Sequence, residues 1–284
     1  METPRLLIVN ADDYGLTTGV SLAVLRAHRD GILTSTSVLA VAPAFEPTVG
    51  WLRDCEGIGV GAHLAAVGED PPLLSAREIP TLVDKKGQLP MSWRQFLPRM
   101  AARRIDPEDL RREFTAQLDC LQAAGLTLTH VDTHQHLHLW PGVAAVVLDL
   151  AAQYDIGAMR LTRSAAGSPV GRVVRRLSNR LERQATTRGM RFTAVATGLD
   201  EAGTLDQVRM VAAVDRLAAT GAATAELGTH PGEADDPERD RYRWGYLWPD
   251  ELEALVAADV RSQVERQGFV LGTYADLLAE VGHG

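Results

Sequence analysis

Three observations in this 284-residue sequence predict an α/β fold, a distorted (β/α) barrel of TIM-barrel-like type, in a single domain over 1–284. Short apolar runs alternate with longer amphipathic ones roughly eight times along the chain. Polar, titratable residues recur just after the apolar runs, where the C-terminal ends of strands build sites in such folds. Apolar patterning never stops and restarts, and there are no repeats or low-complexity tracts, which favours one domain over two. A doubly wound open sheet fits less well. The first strand is followed by Asn10-Ala11-Asp12-Asp13-Tyr14-Gly15 and not by G-x-G-x-x-G.

The elements follow in order. Residues 5–10 (RLLIVN) read as a buried strand ending in polar groups. Residues 17–30 form a helix with Val20, Val24 and Ala27 on one face. Residues 33–41 are strand-like, 44–54 helical, and 57–63 (GIGVGAH) a short strand whose glycines point to close packing. The stretch 64–104 carries five prolines and is too long for an ordinary connection, so it is expected to be a substrate loop insertion. Pro107 opens a helix to about residue 124, with Leu110, Phe114, Leu118 and Leu121 at helical spacing. Residues 126–132 are a strand, and Pro141 opens a helix to 154. A short strand at 158–161 precedes a basic helix at 170–188. Further strands at 192–196, 224–229 and 269–272 are separated by helices near 205–219 and 249–267.

Acidic residues outnumber basic ones, 37 to 29, which argues against a nucleic-acid partner. The net charge of −8 averages two unlike regions. Residues 160–191 hold nine arginines and one acid, Glu182, while the remainder has 20 basic against 36 acidic residues. Val173, Val174, Leu177 and Leu181 give the basic stretch an apolar stripe, as in an amphipathic helix packed outside the barrel. Its arginine face could also meet an anionic substrate, or a membrane surface peripherally. No stretch approaches the ~20 apolar residues of a membrane span, and the run at 6–9 is too short for a secretory signal. Cys55 and Cys120 read as reduced core cysteines, and the expected location is the cytoplasm.

The candidate chemistry lies at the strand ends. Asp12 and Asp13 would repel, so one tends to be neutralised or metal-bound. On an extended backbone they point to opposite sides, one free to ligate a metal and the other to act as a base. Capping the helix near Thr17 is the plainer role for such aspartates. Four of the eight histidines fall between His130 and His138. In an extended loop His134, His136 and His138 would share a face; in a helical turn only His134 and His138 would. One carboxylate with two imidazoles leaves positions open for water and substrate, the mark of a catalytic metal. His63, after the glycine-rich strand, could supply the second imidazole. His230 sits in Thr229-His230-Pro231-Gly232, a sharp turn that would hold it rigidly as a general acid. Arg160 could pair with Asp12 or bind an anionic intermediate. There is no G-x-S-x-G elbow, and neither cysteine sits beside a histidine at a strand end. Metal-activated water attacking a carbonyl or phosphoryl group is the chemistry that remains.

The runs Asn10-Ala11-Asp12-Asp13-Tyr14-Gly15, Gly31-Ile32-Leu33-Thr34-Ser35-Thr36-Ser37, Gly61-Ala62-His63-Leu64, Thr129-His130-Val131-Asp132-Thr133-His134-Gln135-His136-Leu137-His138 and His230-Pro231-Gly232 resemble the YdjC-like carbohydrate deacetylase family, also called the ChbG/HpnK family. Their order and spacing match from residue 5 to about 275. Tyr14 and Thr133 stand where that family commonly has phenylalanine and serine. The resemblance implies one divalent metal and removal of an N-acetyl group from an amino sugar, an N-acetylated sugar being the substrate. It implies Asp13, His63 and His134 as ligands, with His138 the alternative to His134. Asp12 would be the base, His230 the acid, and Arg160 would orient Asp12. The family is described with Mg2+; two imidazoles also suit Zn2+ or another transition metal. The rival readings are another metal-dependent hydrolase, a phosphoesterase or amidohydrolase, and a non-catalytic sugar-binding protein. The sequence leaves the sugar and the oligomeric state open, a homodimer included.

Overall fold

In the computed structural model, which describes residues 5–279, the apolar run at 6–9 extends into a ten-residue strand, β1 (Arg5–Tyr14), buried beyond its first residue. Every strand pairing is parallel. β2 (Ser35–Val38), β3 (Gly59–Leu64), β4 (His130–Thr133) and β5 (Ala158–Met159) succeed one another on one side of β1. β7 (Thr224–Thr229) and then β6 (Val195–Thr197) lie on the other. β8 (Phe269–Leu271) pairs with Arg5 to Leu7, along the edge that β2 takes over from Asn10 onward.

Parallel strands require crossovers, and buried faces require cover. Both come from α1 (Thr18–Asp30), α2 (Phe45–Arg53), α3 (Trp93–Ala101), α4 (Pro107–Ala123), α5 (Pro141–Gln153), α6 (Pro169–Thr187), α7 (Gln207–Ala219), α8 (Trp248–Val256), α9 (Ala258–Arg266) and α10 (Tyr274–Ala279). The sheet curls into the distorted barrel that the sequence predicts. β5 and β6 end the ladder, and the seam is bridged just before β6. There Met159 N–H donates to Arg191 O and Arg191 N–H to Gly157 O, both at 2.9 Å.

Helix starts follow their caps. The side chains of Thr17, Asp106, Ser168 and Asp206 accept backbone N–H groups at the first turns of α1, α4, α6 and α7. Thr17 therefore caps α1, and Asp12 and Asp13 do not. Several elements differ from the sequence reading. α3 forms inside the stretch 64–104 and contains Pro98, whose ring marks a loop in the sequence but sits here in a short amphipathic helix. The stretch 249–267 breaks at Ala257, whose extended backbone (φ −68°, ψ 128°) separates α8 from α9. β5 and β6 are only two and three residues long, and α10 is an element the sequence reading lacks.

The long stretch after β3 is pinned by the polar side of α4. Asp109, Glu113 and Gln117 are buried at one-turn spacing. Glu113 accepts the N–H groups of Leu73 and Leu74, and Asp109 accepts that of Thr81. Gln117 both accepts from Ala65 N–H (2.8 Å) and donates to Ala65 O (2.7 Å). Leu110, Phe114, Leu118 and Leu121 meanwhile enter the main core.

The glycines of β3 pack closely, as their run predicts. A Cβ on Gly61 would lie 2.3 Å from Nε2 of the His130 ring, which is itself stacked on Tyr274 with centroids 4.0 Å apart. Neither ring has room to yield. Gly61→Ala is therefore expected to destabilise the fold by about 1–3 kcal/mol through overpacking. Urea unfolding measures this, and an unchanged midpoint would contradict it.

Candidate metal centre

The carboxyl-terminal end of β1 carries a bulge. Ala11 pairs with Thr36 and Tyr14 with Val38, so three steps on β1 meet two on β2. Asp13 takes up the extra residue with φ 66°. The bulge overturns the expectation that neighbouring aspartates point apart: Asp12 and Asp13 line one cavity. His134 begins the 3-10 turn His134–Leu139 directly after β4, with Gln135 (φ 51°) and His136 (φ 54°) left-handed. This turn is neither the extended loop nor the helical turn considered above.

Asp13 Oδ1 lies 3.3 Å from His63 Nε2 and 3.1 Å from His134 Nδ1. All three residues are buried, and their donor atoms lie within 4.8 Å of one another. His138 is not in this cluster. Its Nδ1 pairs with Thr133 Oγ1 at 2.9 Å, and its ring is fully buried. His136 lines the cavity but sets its Nδ1 3.2 Å from Thr162 Oγ1.

A layer of polar groups holds the cluster from behind. His63 Nδ1 is 2.7 Å from Asp132 Oδ1. A carboxylate only accepts, so Nδ1 carries a proton, which leaves Nε2, facing Asp13, as the atom that could ligate a cation. Arg160 Nη1 donates to Asp12 Oδ2 (2.6 Å) and its Nε to Glu226 Oε1 (2.7 Å), while Nη1 also forms an ion pair with Asp132 Oδ2 at 2.7 Å. Tyr274 donates to the other Glu226 oxygen at 2.6 Å. Asn10 Nδ2 reaches Asp12 Oδ1 and Ser37 Oγ, and Ser37 donates to Asp132.

These neighbours decide the charges. Burial alone would raise the carboxyls of Asp12 and Asp132, but Arg160 and His63 outweigh it and hold both below the ordinary range. Burial likewise opposes ionisation of Asp13, and His134 with His63 overcomes it. Glu226 moves the other way, because burial outweighs the help of Arg160.

His230 follows β7, with Nε2 3.8 Å from Asp12 Oδ2 and its backbone N–H donated to Glu251 at 2.6 Å. Its Nδ1 is buried and has no hydrogen-bond partner among the described residues. An aromatic strap closes this side. Trp244 lies 5.3 Å from the His134 ring and Tyr246 5.0 Å from the His230 ring. The cavity above the cluster holds about 500 Å³. Its far wall is aliphatic and aromatic: Val170, Val173 and Leu177 of α6, Trp93 and Leu97 of α3, and Trp140.

The donor set fits a divalent cation on two counts. Donors bound at ~2.1 Å around one ion sit roughly 3.0–3.4 Å from each other, the range found between Asp13 and the two imidazoles. Three ionised aspartates also crowd one permanent cation, Arg160, and against the cost of burial their charge, Asp132 foremost, holds the His63 imidazole well above its ordinary range, so that a proton sits where a divalent cation would go.

The fold and this cluster define the class first: a parallel β/α barrel with a buried Asp–His–His group at the carboxyl ends of its strands. The chain belongs to the YdjC-like protein family, whose profile matches residues 6–266. It is 30 % identical over 275 residues to a carbohydrate deacetylase of Geobacillus stearothermophilus, covering 96 % of this chain and 98 % of that protein. It is 29 % identical over 279 residues to a chitooligosaccharide deacetylase of Enterobacter sp. (strain 638), covering 96 % and 99 %. With a Brevibacillus brevis carbohydrate deacetylase the match is 37 % over 150 residues, 53 % of this chain and 57 % of that protein. A solved structure from Enterococcus faecalis V583, described as a cellobiose-phosphate cleavage protein, shares the fold. It aligns with TM-score 0.82 and 22 % identity over 97 % of this chain and 99 % of its own.

The structure gathers Asp12, Asp13, His63, His134, Arg160 and His230 at one rim. Sequence reasoning missed Asp132, Glu226, Tyr274 and the Trp244–Tyr246 strap. Glu226 carried a usable signal, since a lone acid inside an apolar strand needs a buried partner. Four aromatic residues alternating from Tyr242 to Trp248 carried another.

Burial pushes the His138 imidazole down from 6.5 to about 4. The folded chain thus keeps it neutral where the unfolded chain protonates it. Its support for the fold is complete above pH 6.5 and fades as pH falls toward 4. In His138→Gln, the stability lost between pH 7 and pH 5 should be smaller by about 2 kcal/mol than in the parent. Urea titrations of both proteins at both pH values provide the comparison, and equal losses would refute it.

Proposed function

We propose that this chain is a divalent-metal-dependent hydrolase that removes the N-acetyl group of an amino sugar, releasing acetate and a free amine. The observation that carries the reading is the buried Asp13 carboxylate set between two imidazoles on the floor of an open cavity. The names of the full-length relatives point to the same substrate class. Asp13, His63 and His134 would hold the cation, Zn2+ or another transition metal by donor chemistry or Mg2+ by family resemblance. When bound, it supplies Lewis acidity to the amide carbonyl and eases deprotonation of a water.

The chain's own groups do the rest. Asp12, ionised and steered by Arg160 and Asn10, accepts a proton as the water oxygen adds to the carbonyl carbon. His230 gives a proton to the amide nitrogen as the C–N bond breaks. The turn at Pro231 and the Glu251 contact keep that ring near the same carbon. Trp244 and Tyr246 offer aromatic faces to the sugar ring. The 64–104 insertion serves as a substrate loop through Trp93 and Leu97. The proposed setting is the cytoplasm. No helix among the described residues is long and apolar enough to cross a membrane.

The test is acetate release from N-acetylated sugars by chelator-treated protein given defined metals, beside phosphate release from aryl phosphates. Metal-restored acetate release is expected; phosphate release without acetate would overturn the reading. Asp12→Asn should keep its metal in equilibrium dialysis yet lose about 10²–10⁴-fold in kcat. His63→Ala should lose the metal. Asp132→Asn, which replaces the carboxylate behind the His63 ring by a neutral amide, should weaken metal affinity about 10–100-fold.

A further inference from the structure

We propose that α6 is a docking surface for the anionic face of a lipid bilayer, and that it sets the mouth of the cavity against that face. The proposal goes beyond the deacetylase reading and stands without it.

Arg172, Arg176, Arg180 and Arg183 are all exposed and form one stripe along the outer side of α6, roughly 16 Å long. Among the described residues none of the four reaches a carboxylate. Arginines elsewhere on the surface are mixed: Arg26, Arg111, Arg216 and Arg241 pair with carboxylates and Arg77, Arg103, Arg104 and Arg243 do not, but among the described residues only on α6 do four without a carboxylate fall on a single helix face. The one acid of α6, Glu182, is turned to Arg163 at 3.3 Å. Arg180, Arg183 and Arg188 also rim a hollow on the outer surface.

Helix stability does not explain the stripe. Arg172 with Arg176, and Arg176 with Arg180, are like charges one turn apart, a spacing that destabilises a helix. Arg172 and Arg176 also lie in its first two turns, near the positive end of the helix dipole. This repulsion is unrelieved within a chain that is otherwise strongly acidic. An external anionic surface would relieve it.

The apolar neighbours of the stripe favour a bilayer over other polyanions. Val173 (50 % exposed) borders the arginines, and Val170 (59 % exposed) stands at the first turn of the same helix. Both line the cavity mouth. Cationic and apolar residues side by side on an exposed helix match the boundary between headgroups and acyl chains. A nucleic acid would gain nothing from the valines.

Co-sedimentation with vesicles tests this. One set is phosphatidylcholine alone, and the other contains about one third phosphatidylglycerol. Binding is expected only to the second set and should weaken as salt rises. The triple variant R176Q/R180Q/R183Q should bind about 100-fold more weakly, at roughly fivefold per arginine. Its thermal midpoint, equal to or above that of the parent, verifies that it is folded. V170S/V173S should weaken the binding that persists at raised salt. No binding to phosphatidylglycerol vesicles, or parent-like binding by the triple variant, would overturn the proposal. So would a dimer in size-exclusion chromatography that the triple variant dissolves, or duplex DNA bound more tightly than the vesicles. None of these readouts depends on acetate release, so failure of either idea leaves the other standing.

Discussion

Arg160 leaves the end of β5 and meets three carboxylates from three other strands: Asp12 of β1, Asp132 of β4 and Glu226 of β7. β5 and β7 lie near opposite ends of the ladder, so the pair Arg160–Glu226 reinforces a seam that backbone pairing closes only through the single bridge between Ala158 and Arg191. Desolvating four charged groups is costly, and such a cluster persists only when each member is hydrogen-bonded. Here they are. Asn10 and Ser37 link Asp12 to Asp132, Tyr274 satisfies Glu226, and His63 takes the last oxygen of Asp132. One guanidinium thus fixes both the top of the barrel and the orientation of the residues around the candidate metal.

Much of this was legible in the sequence, and for identifiable reasons. β1 announces itself as an apolar run cut off by Asn10 and two aspartates. Helix starts show where Pro107 and Pro141 open α4 and α5. The strand-end histidines and aspartates could be placed on one rim because parallel strands put all their carboxyl ends on one side. What stayed hidden depends on tertiary contacts. Asp132 becomes the partner of His63 only because β3 and β4 pair in register, His63 beside Asp132. Tyr274 reaches Glu226 from the far end of the chain. The choice among His134, His136 and His138 could not be made by spacing, because spacing assumes a regular backbone and the turn is not regular.

That irregularity is concentrated where the chemistry lies. Five non-glycine residues among those described adopt positive φ, and three of them, Asp13, Gln135 and His136, line the cavity. Left-handed backbone costs about 1–3 kcal/mol at such residues and persists only where the surroundings over-determine it. At Asp13 the bulge turns two adjacent carboxylates into one cavity. At Gln135 and His136 the turn sends His134 inward and carries the ring of His138 into the core. Gln135 is held in turn by Trp93, whose N–H donates to its Oε1 at 2.9 Å.

The anchoring of the stretch after β3 has a separate consequence. α4 grips it through main-chain atoms at Ala65, Leu73, Leu74 and Thr81, while Ile79, Leu82, Val83 and Leu89 sink their side chains into the core that α4 shares. Almost any residue supplies the main-chain atoms. The exposed positions of the loop can therefore change, and with them the surface it shows to a ligand, while its path over the barrel stays fixed by Asp109, Glu113, Gln117 and its buried aliphatic side chains. Holding shape and recognition on different sets of atoms lets such a scaffold diversify what it accepts without having to refold around each new choice.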